Sequence, residues 1–128
     1  MSYFFNKILE GSFDETVKKV TEELKKEGFG ILTQIDVKET LKEKLDIDFR
    51  RYKILGACNP PFAYQALQAE DKIGTMLPCN VIVQELSEGR IEAAAVDPVA
   101  SMQAVDNPDL AEIANDVRQK LSRVIDNL

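Results

Sequence analysis

A chain of 128 residues and 14.4 kDa is long enough to bury a core without disulfide staples, and short enough to be one domain spanning residues 1–128. Its net charge of −6 argues against a phosphate-backbone partner, so no nucleic acid is expected. With no histidine, it lacks Ser-His-Asp and Cys-His activation, imidazole acid–base chemistry, and the histidine-based zinc and iron sites.

No apolar run approaches the ~20 residues of a membrane span, so no membrane partner is expected. The start, MSYFFNKILEGSFDE, has no basic stretch followed by a long apolar one, which predicts no signal peptide. Two cysteines in such a chain point to free thiols in a reducing cytoplasm. Neither GxxxxGK[ST] nor GxGxxG occurs, and Gly28-Phe29-Gly30 reads as a helix cap.

Tyr3 to Leu9 is aromatic-rich and predicts a first strand. Ser12 with Glu15 forms a capping box, opening a helix whose Phe13, Val17, Val20 and Leu24 share a face and which Gly28 ends. Phe29 to Ile35 is the second strand. Asp36 with Glu39 resembles a second capping box, before a short helix faced by Val37, Leu41 and Leu45. Tyr52 to Ala57 is the third strand and runs into Cys58. Pro60-Pro61 suits a first helical turn, so Phe62 to Ala69 is a third helix, and Gly74 to Pro78 a loop. Asn80 to Leu86 and Arg90 to Val96 are strands joined as a hairpin through Ser87-Glu88-Gly89. Asp97-Pro98 breaks the sheet. Asn107-Pro108 caps a last helix carrying Leu110, Ile113, Val117, Leu121, Val124 and Leu128.

The closing hairpin requires an antiparallel pair, which makes the domain α+β, with about five strands and one sheet face covered by the two long helices. Ala93, Ala94 and Ala95 are too small to fill much space. Either a helix packs closely there or a ligand-sized hollow opens. Tyr3, Phe4 and Phe5 crowd more aromatic surface into one strand than a single buried face needs, which points to a symmetric homodimer.

The only two cysteines lie in mirrored motifs, Cys58-Asn59-Pro60 and Pro78-Cys79-Asn80. Each sets an ionisable sulfur beside an amide that donates and accepts hydrogen bonds. If the strands ending at Cys58 and starting after Cys79 pair antiparallel, both sulfurs reach one end of the sheet. Cys58 and Cys79 would then suit a soft metal such as Cu(I), or a reversible disulfide, with Asn59 and Asn80 shaping the same ligand pocket. Zinc would need further ligands such as Asp36 or Asp97. Asp36 reads first as a helix cap and Asp97 first as a turn former, while the cysteines read equally as small buried hydrophobes. A helix beginning at Pro60 sets its positive end near Cys58, which makes Cys58 the more reactive thiol of the two.

The segments GFGILTQIDV, LKEKLDIDFRRYKILGACNPPFAYQAL and IGTMLPCNVIVQE, with the later Asp97-Pro98, resemble the domain-of-unknown-function 302 family over nearly the whole chain. GACNPP paired with LPCNV is the specific part. The resemblance implies a curved antiparallel sheet on two long helices, a TATA-box-binding-protein-like β-α-β(4)-α core, and a homodimer. It implies no reaction and no cofactor. Three functions stay open: a non-enzymatic module binding a small ligand or soft metal at a Cys-Asn site, a thiol-dependent enzyme or redox sensor using Cys58 and Cys79, and an oligomeric scaffold whose motifs only hold turns.

Overall fold

In the computed structural model, which describes residues 2–128, the elements run β1 (Phe4–Glu10), α1 (Phe13–Lys26), β2 (Gly30–Asp36), α2 (Val37–Leu45) and β3 (Tyr52–Cys58). They continue as α3 (Pro60–Ala69), a 3-10 turn (Ile73–Met76), β4 (Cys79–Ser87), β5 (Arg90–Val96), α4 (Pro98–Ser101) and α5 (Pro108–Asp126). The five strands form one open sheet in the order β1-β5-β4-β3-β2, and every neighbouring pair is antiparallel. Strand and helix ends fall within a residue or two of the sequence reading, and the α+β class holds. The single-turn α4 was not expected from the sequence. Asp97 both ends β5 and caps this turn, its carboxylate accepting from the Val99 N–H at 3.0 Å.

Capping sets the frame. The Ser12 hydroxyl accepts from the Glu15 N–H at 3.1 Å and starts α1. At the other end Gly28 takes φ +88°, and the Phe29 N–H reaches back to the Leu24 carbonyl at 2.9 Å, so the chain turns out of the helix into β2. Asp36 caps α2 through a 3.0 Å bond from the Glu39 N–H, as its spacing predicts.

Register then decides which side chains are buried. Leu55 on β3, Val81 on β4, and Ala95 on β5 stand side by side on one sheet face. Against that face α1 presents Phe13, Val20 and Leu24, and α5 presents Val117, Leu121 and Val124. Each of these larger side chains contributes roughly 1.5–3 kcal/mol by leaving water. Ala93 and Ala95 belong to this layer and are fully covered, with α5 packed across β5, so a closely approaching helix explains their size. Ala94 alternates to the opposite face, where no helix lies over it and a shallow hollow opens between the strands. A smaller cluster of Ala66, Ile73 and Leu110 joins α3, the 3-10 turn and the start of α5.

Candidate functional site

Between these two clusters lies a cavity of about 340 Å³. Its floor is the end of the sheet where β3 finishes and β4 begins. Its walls are Phe62, Ala63 and Ala66 of α3 and Ile113, Ala114 and Val117 of α5. Pro98 and Met102 close one side, and the exposed Leu32 and Leu67 stand at its rim. The lining is apolar apart from three side chains at the sheet end: Cys58, Asn59 and Cys79. A volume of this size lies at the lower end of the ~300–1,000 Å³ usual for small-molecule sites.

Antiparallel pairing brings the two cysteines to this point. Ala57 pairs with Cys79, so Cys58 and Cys79 sit one step apart across the β3–β4 ladder. Both are free thiols; Cys58 is partly exposed and Cys79 buried. Burial, and then the nearby Cys58 sulfur, push the Cys79 thiol up to about 11. Cys79 therefore stays an S–H at neutral pH.

The prolines alter the expected electrostatics beside Cys58. Asn59 is the N-cap of α3, and Pro60 and Pro61 occupy its first positions. Neither proline has an N–H, so the helix start loses two of the donors that would have favoured a thiolate at Cys58. The Asn59 side chain does not cap α3 at all. Its Nδ2 donates instead to the Glu27 carbonyl at 3.1 Å, tying the start of α3 to the end of α1. Gly28 permits this approach, since a Cβ there would stand 3.1 Å from Nδ2.

The other three candidates do not line the cavity. Asn80 follows Cys79 by one residue, so strand alternation turns it to the uncovered face, where it edges the shallow hollow with Tyr52 and Ile82. Asp36 pairs with Lys53 at the far end of the β2–β3 ladder, whereas Gly30 pairs with Cys58 at the near end. Six residues of strand put roughly 20 Å between them. Asp97 is at the cysteine end but is spent: one carboxylate oxygen caps α4, and the other accepts from Arg118 Nε at 3.1 Å. Among the described residues no group of three or more cysteines, aspartates or glutamates is placed to hold a metal ion. A metal at Cys58 and Cys79 would have two sulfurs and no carboxylate.

The cavity walls were the part that sequence reasoning missed. Ala63 and Ala66, three apart on α3, and Ala114 on α5 leave the space open. Small residues on facing helices were the available signal.

No helix of the described residues is long and apolar enough to cross a membrane. No curated protein matches this chain. A solved structure described as an uncharacterized conserved DUF302 protein from Bacillus stearothermophilus is similar throughout, with 31% identity, a TM-score of 0.90 and coverage of 98% of each chain. The family model for the domain of unknown function DUF302 matches residues 5–128, and the chain belongs to that family.

Proposed function

We propose that this chain is a non-enzymatic binding module for a small, largely apolar molecule held in the cavity at the cysteine end of the sheet. The observation that carries the reading is the lining itself: about 340 Å³ walled by aliphatic and aromatic side chains, with three polar groups confined to one end. Burying apolar ligand surface there gains roughly 25 cal/mol per Å² before the costs of association. Soft-metal binding is the weaker alternative, because a thiolate at Cys79 must first overcome burial that holds its thiol near 11. Thiol catalysis would have to run without a base, since no carboxylate or lysine lines the cavity. Two free thiols also fit a reducing compartment, and we place the protein in the cytoplasm.

Nile red, a neutral apolar dye, tests this. Its fluorescence should rise on binding, and Ala63→Trp, which fills the cavity from a partly exposed helix position, should weaken binding at least tenfold with an unchanged melting temperature. Equal binding by the parent and the filled variant would place the dye elsewhere and defeat the reading.

We further propose that a second copy of the chain covers the open sheet face. Phe4, Ile8 and Ile35 stand exposed on it, with Ile54, Ile82 and Ala94 half-buried beside them. Its central carboxylate is hydrogen-bonded within the chain: Asn6 and Gln84 donate to Glu92 at 2.9 and 2.7 Å, and Arg50 donates to Gln84 at 2.8 Å. With that carboxylate's hydrogen bonds met inside the chain, the apolar patch around it suits an isologous contact between like faces. Five strands at ~4.8 Å spacing and seven residues at ~3.3 Å give a flat footprint of roughly 550 Å², about two thirds of the ~800 Å² of accessible area per partner in a standard interface before surface relief is added. Light scattering should give twice 14.4 kDa, and Ile8→Lys should restore the single mass. A parent protein of single mass at micromolar concentration would rule the dimer out.

A further inference from the structure

We propose that the cavity selects a neutral head group that donates a hydrogen bond, such as a hydroxyl or an amide N–H, on an apolar body, with Asn59 as the specificity-determining acceptor. The inference rests on the ligand reading above. The Nδ2 of Asn59 donates to the Glu27 carbonyl, and only the nitrogen end of the amide can face a carbonyl oxygen. The Oδ1 end is thereby fixed as the one left over. It takes no hydrogen bond from another described residue, while the only engaged atom of the side chain is Nδ2. No buried side-chain nitrogen or oxygen among the described residues is both shut away and unpaired, so Oδ1 keeps accessible surface. Asn59 is only 8% exposed, and the cavity is what it lines.

The rest of the lining decides the charge of the ligand. No lysine, arginine, aspartate or glutamate contributes to it. The charged groups around it are engaged with one another: Arg118 with Asp97, and Arg123 with Glu27, which Lys120 also approaches at 3.9 Å from its place 5.9 Å over the Phe62 ring. The start of α3 is a poor anion site, because Pro60 and Pro61 carry no N–H. A carboxylate head would lose its hydration and meet a carbonyl oxygen, with no cation in the lining and the nearby Lys120 already facing Glu27. An ammonium head could donate to Oδ1, but its charge would be left without a counterion in an apolar site. A hydroxyl loses only its water hydrogen bond and regains one at Oδ1. Cys58 and Cys79, which also line the cavity, offer only weak sulfur acceptors.

A matched eight-carbon series displacing Nile red from the parent protein reads this directly: 1-octanol, octanoate, octylammonium and 1-methoxyheptane. Octanol should bind roughly tenfold or more tightly than octanoate and octylammonium at neutral pH, and severalfold more tightly than the ether, which cannot donate. In Asn59→Leu the alcohol should lose its advantage over the ether. If that variant does not fold, the parent series alone still decides. Alcohol, ether and carboxylate binding alike would overturn the head-group inference while leaving the apolar site standing. Tighter octanoate binding would overturn it as well. Failure of Nile red itself to bind would remove the site, and the inference with it.

Discussion

Raising the pH should weaken this fold through one residue, Cys79. Its side chain is packed in the main core at the sheet end, and its thiol sits near 11 rather than at the ordinary value of 9.0, chiefly through burial. In the unfolded chain that shift is gone. Between the two values the unfolded state has released a proton that the folded state still holds, so stability falls as pH rises through this window. A separation of two units at 1.36 kcal/mol each amounts to roughly 2–3 kcal/mol lost by about pH 11. Lysines and tyrosines titrate in the same range, so the comparison must be with Cys79→Ala, which keeps them all. Removing one buried sulfur should cost about 1 kcal/mol near pH 8, and that cost should vanish or reverse near pH 11, where the parent alone carries the loss linked to Cys79. Urea unfolding of both proteins under reductant, at about pH 8 and about pH 11, isolates the effect as a difference of differences. Parallel losses in the two proteins would refute the buried-thiol argument.

Three further outcomes are expected. Iodoacetamide should modify Cys58 well before Cys79, because Cys58 is partly exposed and Cys79 is a buried thiol; peptide mass mapping that found the reverse order would contradict the placement of both. Gly56→Ala should cost about 1–3 kcal/mol, since the new methyl meets the Thr33 hydroxyl and lies 2.7 Å from the Pro78 ring, and Thr33→Ala in the same chain should recover part of the loss in a chemical melt. The Arg123 guanidinium, with Lys120 behind it, holds the Glu27 carboxyl below its ordinary 4.5, so its contribution is present above about pH 4.5 and lost as pH falls through the lowered value. Glu27→Gln should therefore flatten part of the acid limb of stability against pH, and an unchanged limb would show the pair to be idle.

The frame was legible because local rules and the global fold agree. Ser12, Asp36 and Asn107 each precede a helix and each caps it through its side chain, so the starts of α1, α2 and α5 could be read from single residues. That Cys58 and Cys79 fall one step apart on neighbouring strands was legible for a similar reason, since antiparallel pairing across one crossover helix leaves little choice. What misled was the mirror symmetry of the two motifs. Asn59 lies beyond a strand end and faces the cavity, but Asn80 lies within β4, where alternation sends it to the other side. Asp36 failed as a partner through distance along β2, and Asp97 through prior commitment to Arg118, a contact 21 residues away that no local pattern announces. The cavity was illegible because alanines on α3 and α5 look like ordinary helix formers until the two helices face each other.

Why such a space stays open follows from how α3 is held. Protein interiors normally close voids, because unpaired surfaces forfeit dispersion contacts. The α3 helix buries only Ala66 fully, so packing alone does not fix its position. Two asparagine side chains fix it instead. Asn59 Nδ2 ties its start to the carbonyl of Glu27 at the end of α1, and Asn107 Nδ2 ties its end to the carbonyl of Ala69, at 2.8 Å, from the start of α5. Each clip joins α3 to an element anchored in one of the two hydrophobic clusters. The helix is therefore suspended across the gap between the clusters rather than collapsed into it. A wall set by directional bonds at its two ends can tolerate an apolar guest without repacking, which is the mechanical condition a preformed binding site requires.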